Sequence, residues 1–389
     1  SSLARVYKDL GFNQTGIIES TRSLATDPAN ASAHRFLSDS HRDTSRRTEI
    51  SRVSELLQAQ MLQDLNINPV QPSISTTNLN IVTAGGPSNA GFNEFTPLFQ
   101  QNRTQFNASA MAGNHDTSGG EVVISTVQNR FSGSIGAFGF DTDGFRDNSD
   151  TKHEIYNAFG QWAVSPTVNL QAEIGKRNTD YGDIAMHFDP DDFDPALRNS
   201  LDVDTGRVGL RFTPNKNSTF LLSAIYADAD GMTHLEPVLD FGGGFVLDTV
   251  FDGLLDEEVY QYDAAYIYQQ DSFNVTAGAA YVDSDRLDTF TLSDVPVFFL
   301  DDLETEQIDL KDMRIYAYGN ITLLPGVIGT VGLSYQDYDQ DQVYNYTDLT
   351  GFFLPSSDVN KLDFDELNPK LGIRAQVMDN LELRAAYFK

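Results

Sequence analysis

Residues 260–281 read YQYDAAYIYQQDSFNVTAGAAY, and this stretch decides the fold class. Large apolar or aromatic side chains alternate with polar or small ones from Tyr260 to Tyr268, and again from Phe273 to Tyr281. A two-residue period places the two sets on opposite faces of a β-strand, so the stretch predicts a hairpin that turns at Gln270-Asp271. Each run is about 9 residues long, beyond the ~5–6 of an ordinary strand and close to the length with which a tilted strand crosses a bilayer.

The same alternation continues on both sides of this hairpin, through residues 104–389, and predicts thirteen strands. We expect them near 104–113, 120–128, 131–141, 154–165, 167–178, 203–213, 218–228, 258–269, 272–283, 307–323, 327–337, 364–377 and 381–388. Single-chain bacterial outer-membrane barrels have an even number of strands, so an odd count predicts a barrel that is incomplete at its C-terminal end. A miscount around 76–100 or 284–300 is the alternative.

The predicted connections alternate in length. Short turns fall at 129–130, 166, 214–217, 270–271, 325–326 and 379–380, and long loops at 142–153, 179–202, 229–257, 284–306 and 338–363. Short periplasmic turns and long extracellular loops are typical of outer-membrane barrels, whereas a soluble sandwich has shorter strands. The predicted fold class is therefore mainly β: a transmembrane antiparallel outer-membrane β-barrel of at least thirteen strands, preceded by a short α-helical region.

Face assignment follows from burial in lipid. The apolar set is expected to contact acyl chains, and the polar set to line the lumen. The predicted lumen-lining residues are Gln171, Glu173, Arg207, Arg211, Gln261, Asp263, Arg374 and Arg384. Tyr226, Tyr260, Tyr281 and Tyr335 lie near the long-loop ends of their strands and are expected in an outer aromatic girdle, with Phe106 and Phe212 in an inner one.

The chain is strongly acidic, with 56 Asp and Glu against 26 Lys and Arg and a net charge of −30. This balance excludes a nucleic-acid-coating protein, whose affinity comes from Lys and Arg. Most of the acid falls in the predicted loops, where Asp189, Asp191, Asp192, Asp194, Asp301 and Asp302 are expected to form an acidic mouth. Such a mouth attracts cations; the alternative is that the acids merely keep exposed loops solvated.

Chemistry-bearing motifs are sparse. Asp141, Asp143 and Asp147 are carboxylates at a calcium-like spacing and form a candidate Ca²⁺ site, although the twelfth-position glutamate of an EF-hand is missing. We expect no other cofactor. The absence of cysteine excludes thiolate chemistry, and the six histidines form neither a zinc motif nor a catalytic triad pattern, so we expect no enzymatic activity.

Residues 1–64 show helical spacing instead, and residues 65–103 form a linker that leads into the barrel. The helical region resembles a tetratricopeptide repeat over residues 2–41. The matching residues are Tyr7, Leu10, Gly11, Ala25, Pro28, Ala33 and Leu37. Two ordinary packed helices are the alternative. Because this region precedes the first strand on the short-turn side, we expect it in the periplasm, where a repeat can dock a protein partner.

Residues 368–374 and 379–387 resemble a late hairpin of TonB-dependent receptor barrels. The matching residues are Asn368-Pro369-Lys370-Leu371-Gly372, Ile373-Arg374, Asp379-Asn380-Leu381, Leu383-Arg384-Ala385 and Tyr387. In that family a plug domain and a TonB box precede the barrel. Here helical repeats stand in that place, and residues 73–100 are too short for a plug.

Helical repeats followed by a barrel resemble, in architecture alone, the exporters of exopolysaccharides. The predicted function is an outer-membrane conduit for a solute or polymer, with lipid as one partner and a periplasmic protein as another. The alternative is a membrane-anchored structural or interaction protein that binds through its acidic loops or its repeat.

Overall fold

The computed structural model describes residues 13–26, 102–184, 193–240, 246–294, 300–378 and 381–388. They form one helix and fourteen strands. The elements are α1 (Asn13–Thr26), β1 (Arg103–Ala112), β2 (Ser118–Gln128), β3 (Phe131–Thr142), β4 (Thr151–Ser165), β5 (Val168–Tyr181), β6 (Arg198–Asn215), β7 (Ser218–Leu235), β8 (Val238–Asp240), β9 (Val246–Gln270), β10 (Phe273–Asp294), β11 (Asp301–Leu324), β12 (Val327–Asp348), β13 (Ser356–Met378) and β14 (Leu381–Phe388).

All fourteen strands belong to one antiparallel sheet, and apart from β8 each strand pairs with the next one along the chain. The short β8 is the one addition to the predicted set, and it pairs with β9 beside the main path. Within the described residues, β1 and β14 lie at the two edges and do not pair with each other. The predicted strands and their antiparallel order are therefore confirmed.

Five of the six predicted short connections are found within one or two residues of the predicted positions, and the sixth, at 379–380, lies outside the described residues. Asn129 adopts a left-handed φ of 52° between β2 and β3, and Gly326 a φ of 79° between β11 and β12. Positive φ is favourable for glycine and tolerated by asparagine, which explains these residues in two-residue turns. We call the end of the strands at which these short turns lie the turn end, and the opposite end of the strands the loop end.

The prediction of long loops is wrong for much of their length, because strands extend into them. The strands grow from 10 residues in β1 to 25 in β9, and β10 to β13 have 22 to 24. Their extra residues occupy most of 229–257, 284–306 and 338–363. At about 3.3 Å per residue, β9 is roughly 80 Å long, far more than a bilayer needs. Hydrophobic alternation fades there because both faces of the extension carry polar side chains.

Of the predicted helical region, the structure describes α1, which contains Ile17, Ile18 and Leu24 of one apolar stripe. Thr21 Oγ1 donates to the Ile17 carbonyl at 3.0 Å, a bond within one helical turn. The other predicted repeat helices and the linker at 65–103 lie outside the described residues. No described helix is long and apolar enough to cross a membrane.

Candidate functional site

The two faces of the sheet differ sharply in burial. In β4, Thr151, His153, Ile155, Asn157 and Gln161 are buried, while the alternate residues are exposed or half-buried. We call the face with the buried residues the inward face, and its opposite the outward face. A single sheet buries one face when it curves around that face, so the inward face is the enclosed one.

Polar side chains meet at the centre of the inward face. Arg207 Nη2 donates to Glu173 across β5 and β6, and both side chains are nearly buried. Asn157 Nδ2 donates to Glu173 Oε1 at 3.1 Å. A low-dielectric surrounding strengthens such bonds and makes the loss of one partner costly. These residues thus form a tightly held network.

A second polar group lies across β7 and β9. Asp263 Oδ2 accepts from Gln261 Nε2 at 2.8 Å and from Ser223 Oγ at 3.2 Å. Further along the sheet, Arg314 donates to Asp312, which also accepts from Gln336 Nε2 at 3.0 Å. Carboxylates and their donors therefore recur across the inward face.

The register places all eight predicted lumen-lining residues on this inward face. They are Gln171, Glu173, Arg207, Arg211, Gln261, Asp263, Arg374 and Arg384. Gln171, Glu173, Arg207 and Gln261 are buried, whereas Arg374 and Arg384 are exposed near the open edge. Glu173 pairs with Arg207 directly, but Gln261 and Asp263 belong to a separate group.

The outward face carries a band of apolar side chains near the turn end. Leu170, Ile174, Val208, Leu222 and Val331 are exposed members. A tyrosine ends the band on several strands, and an acid follows two residues further toward the loop end. Tyr226 donates to Asp228 at 3.3 Å, Tyr260 to Glu258 at 2.8 Å and Tyr281 to Asp283 at 3.2 Å. Tyr156 of β4 and Tyr335 of β12 also face outward, two residues out of register with Tyr226 and Tyr281, respectively. We call these five the tyrosine row. Phe106 and Phe212, of the predicted inner girdle, are exposed nearer the turn end.

At the loop end, residues 143–150, 182–184 and 193–197 hold each other in a loop clasp. Arg146 pairs with Asp183 at 3.1 Å, and its guanidinium carbon lies 5.2 and 5.1 Å from the ring centres of Phe145 and Phe193. Asn148 Nδ2 donates to the carbonyls of Asp194 and Leu197 at 2.6 and 3.0 Å. The connections β3–β4 and β5–β6 therefore act as one unit.

His153 is buried on the inward face just beyond Tyr156. Its Nδ1 lies 2.7 Å from Thr179 Oγ1, and its ring meets Phe138 edge to face at 6.1 Å. Burial, followed by the positive charge of Arg177, lowers the pKa of His153 to about 4. The imidazole is therefore neutral near neutral pH.

The predicted Ca²⁺ ligands are not gathered into one cluster in the described residues. Asp141, Asp143 and Asp147 are exposed, and no three carboxylates or histidines come together as a metal site within the described residues. Asp141 ends β3, whereas Asp143 and Asp147 lie in the loop that follows. Because one carboxylate is held on the strand and the other two lie in the loop, calcium-like sequence spacing does not bring the three together.

The three described residues of the predicted acidic mouth do not lie together in exposed loops. Asp301 and Asp302 begin β11 rather than lying in a loop. Asp194 Oδ1 accepts from the backbone of Ala196 and Leu197, a turn-forming role. The remaining three, Asp189, Asp191 and Asp192, lie outside the described residues.

Sequence reasoning missed a group beyond the tyrosine row, because it treated this part of β11 and β12 as loop. On the inward face there, Glu304 lies opposite Tyr346 and Glu306 opposite Tyr344. Tyr346 donates to Asp302 at 2.7 Å, and Gln342 Nε2 donates to Glu306. The two-residue spacing of Tyr344 and Tyr346 was the available signal.

No protein-family model matches the chain, and no curated protein matches it. Solved structures do. The ferric yersiniabactin uptake receptor FyuA of Yersinia pestis matches with a TM-score of 0.58 and 12% identity, covering 74% of this chain and 47% of the receptor. The ferric-catecholate import receptor Fiu of E. coli gives 0.57 and 12%, covering 74% and 54%. The siderophore receptor PiuA of Acinetobacter baumannii gives 0.56 and 14%, covering 75% and 49%.

At this identity the likeness is one of fold. The chain spans about half the length of these receptors. The described sheet resembles part of their barrels, in agreement with the resemblance of residues 368–387 to a receptor hairpin.

Proposed function

We propose that this sheet is part of the wall of an outer-membrane β-barrel, and that a solute crosses the membrane along its inward face. The observation that carries the proposal is the division between the faces. An outward apolar band ends at a tyrosine row, while polar side chains occupy the inward positions of the same strands. An outward apolar band with interfacial aromatics and a polar interior is the pattern of strands that cross a bilayer.

In this proposal the turn end faces the periplasm and the loop end faces the cell exterior, because short turns are periplasmic in such barrels. The helical region that contains α1 then lies in the periplasm, where its repeat docks a protein partner. The eight inward-facing residues named above line the lumen. No catalytic role is assigned to them.

The test is single-channel conductance of the full-length protein in planar bilayers. Ala280 faces inward opposite Asp263 and Arg314, whereas Ala279 faces outward. We expect a stable, cation-selective current that Ala280→Trp reduces and Ala279→Trp leaves unchanged. A protein that folds, as heat-modifiable gel mobility reports, yet stays silent with or without these changes contradicts an open conduit.

A membrane-anchored interaction protein is the second candidate, and dense packing of the inward face favours it. Ile155 is 0% exposed and Gln161 1%, so side chains fill the space along β4. An anchor predicts no solute flux in proteoliposomes and capture of a partner by the helical region or the loop end.

The similar receptors take up iron-carrying compounds. Whether this protein does so is tested by growing cells with a siderophore as the iron source, with and without this protein.

A further inference from the structure

A furrow interrupts the outward face of β2 to β5 beside the tyrosine row. Its volume is about 580 Å³, and mainly apolar side chains line it. Ala158 forms the floor, because its methyl group stands between Ile135 and Ile174 on the neighbouring strands. Those two isoleucines are the walls, with 68% and 66% of their surfaces exposed. Val122 and Ile124 of β2 extend the wall formed by Ile135.

The furrow lies at the depth of the membrane–water interface in the proposed orientation. Ile174 lies level with Tyr226, because both are in register with Gly206 of β6. Tyr156 lines the furrow toward its loop end, and tyrosine rings favour the level of the lipid head groups. The furrow therefore meets lipid acyl chains toward the turn end and lipid head groups toward the loop end.

An ion pair stands at the loop-end rim of the furrow. Lys176 Nζ donates to Asp204 Oδ2 at 3.3 Å, and about half of each side chain is exposed. Both residues contribute to the lining of the furrow. An exposed ion pair contributes little to stability, so either partner can exchange for another charged group at small cost. The rim thus presents one cation and one anion to a bound head group.

Acidic side chains continue the rim beyond Asp204. Asp228 lies opposite Asp204 on β7, and Glu258 lies opposite Asp228 on β9. Tyr226 and Tyr260 donate to these two acids, but as neutral donors they do not cancel the charge. A head group with net negative charge is repelled by this row, whereas an ammonium group beside Asp204 is attracted.

A phosphoethanolamine head group matches this order of charges. Its phosphate can accept from Lys176 while its ammonium donates to Asp204, and both hydrogen bonds are charge-assisted. The two residues stand on neighbouring strands about 4.8 Å apart, which suits the short link between the two charges of such a head group. The volume of the furrow falls within the range of about 300–1,000 Å³ that is usual for ligand sites, so it accommodates part of an acyl chain.

We propose that the furrow binds a phosphatidylethanolamine molecule of the surrounding bilayer. An acyl chain lies over Ala158 between Ile135 and Ile174, and the head group contacts Lys176 and Asp204. The site rests on the proposed function, because it requires the outward apolar band to face lipid. It adds a specific lipid ligand that conduction itself does not require.

The test is native mass spectrometry of the detergent-solubilised full-length protein, titrated separately with dioleoyl phosphatidylethanolamine and dioleoyl phosphatidylglycerol. The two lipids have the same acyl chains and differ in the charge of the head group. We expect the ethanolamine lipid to bind about fivefold more tightly, the scale of one exposed charge interaction. Equal or tighter binding of the glycerol lipid overturns the proposal.

The furrow itself is tested by filling it. Ala158→Leu places a larger side chain on its floor, and Ala264→Leu adds the same group to the outward face of β9, four strands away along the sheet. We expect the first to weaken binding of the ethanolamine lipid about tenfold and the second less than about twofold, because a filled space excludes its occupant. Equal effects overturn the proposal, since they show lipid that coats the whole band. A lipid-free dimer that Ala158→Leu abolishes also overturns it, because a second copy then covers the furrow.

The head-group contact is tested at an exposed position where substitution leaves the fold intact. Lys176→Gln removes the cation at the rim. Lys361→Gln is the matched control, because Lys361 donates to Asp341 at 2.7 Å on the outward face of β13, away from the furrow. We expect Lys176→Gln to weaken the ethanolamine lipid about threefold and Lys361→Gln to leave it unchanged. Equal binding by the two variants overturns the proposal.

Lipid binding in detergent does not depend on conduction, so the two proposals fail separately. Selective lipid binding that responds to Ala158→Leu, in a protein with no conductance, retains the site and contradicts the conduit. Conductance without selective lipid binding retains the conduit and contradicts the site.

Discussion

Glu173 and Arg207 face each other across β5 and β6 and form an ion pair on the inward face, with 9% and 5% of their side chains exposed. On the opposite face of the same two strands, Lys176 pairs with Asp204 at 3.3 Å, and about half of each side chain is exposed. The two pairs have the same charges and the same strands but differ in burial. Burial therefore decides how much each contributes to stability.

Replacing Glu173 with glutamine leaves the Arg207 guanidinium buried without its carboxylate. We expect Glu173→Gln to lower the free energy of unfolding by about 3 kcal/mol, since an uncompensated buried charge is costly. Asp204→Asn, the exposed control, is expected to change it by less than about 1 kcal/mol. Urea unfolding of the refolded full-length protein measures both, and equal effects contradict the prediction.

The buried imidazole of His153 makes stability depend on pH. Its pKa is about 4 in the folded protein and near 6.5 when unfolded, so between these values the unfolded chain binds the proton more readily. Stability is full above pH 6.5 and falls by up to about 3 kcal/mol as pH drops to 4. His153→Asn should flatten this slope in melts recorded between pH 4 and 7. His115→Asn, at an exposed position, is the control, and an unchanged slope in the His153 variant contradicts the assignment.

The sequence predicts strands and their faces best where one face of the sheet contacts an apolar medium. In residues 260–281 the outward set is Tyr, Ala, Val and Phe and the inward set is largely polar, so the two-residue period is visible. The assignment of Glu173 and Arg207 to one face follows from that period. Their pairing does not, because it depends on the register between β5 and β6, which the loop at 182–197 leaves open.

The period disappears where both faces meet polar surroundings. Residues 336–348 read QDYDQDQVYNYTD, with aspartates outward and tyrosine or glutamine inward along much of β12. In this segment charged side chains alternate with amphipathic ones, not polar with apolar ones. Hydrophobic periodicity is therefore absent, and the sequence predicts a loop. For the same reason the sequence predicts a loop at Asp301 and Asp302, although cross-strand pairing extends β11 to include both.

The depth of the apolar band predicts how the outward face tolerates charge. Ala264 and Asp256 lie on the outward face of β9, on opposite sides of Tyr260. Arginine near the bilayer midplane costs about 2–4 kcal/mol, and close to nothing at the interface. Ala264→Arg should therefore impair folding into phospholipid vesicles by that amount, and Asp256→Arg should not. Heat-modifiable gel mobility across a urea series reports the difference, and a reversed order contradicts the placement of the bilayer.

The loop clasp predicts local protection from hydrogen exchange. Arg146 pairs with Asp183 while lying against Phe145 and Phe193, and lysine lacks the planar fork for both contacts. We expect Arg146→Lys to speed amide exchange at 182–184 and 193–197 by about tenfold or more, because a hydrogen bond to a charged group contributes about 1.5–3 kcal/mol. Arg130→Lys is the control, since Arg130 is exposed at the turn end, where its side chain donates to the Val164 carbonyl. Equal exchange in both variants, measured by mass spectrometry, shows that the loops are ordered without the clasp.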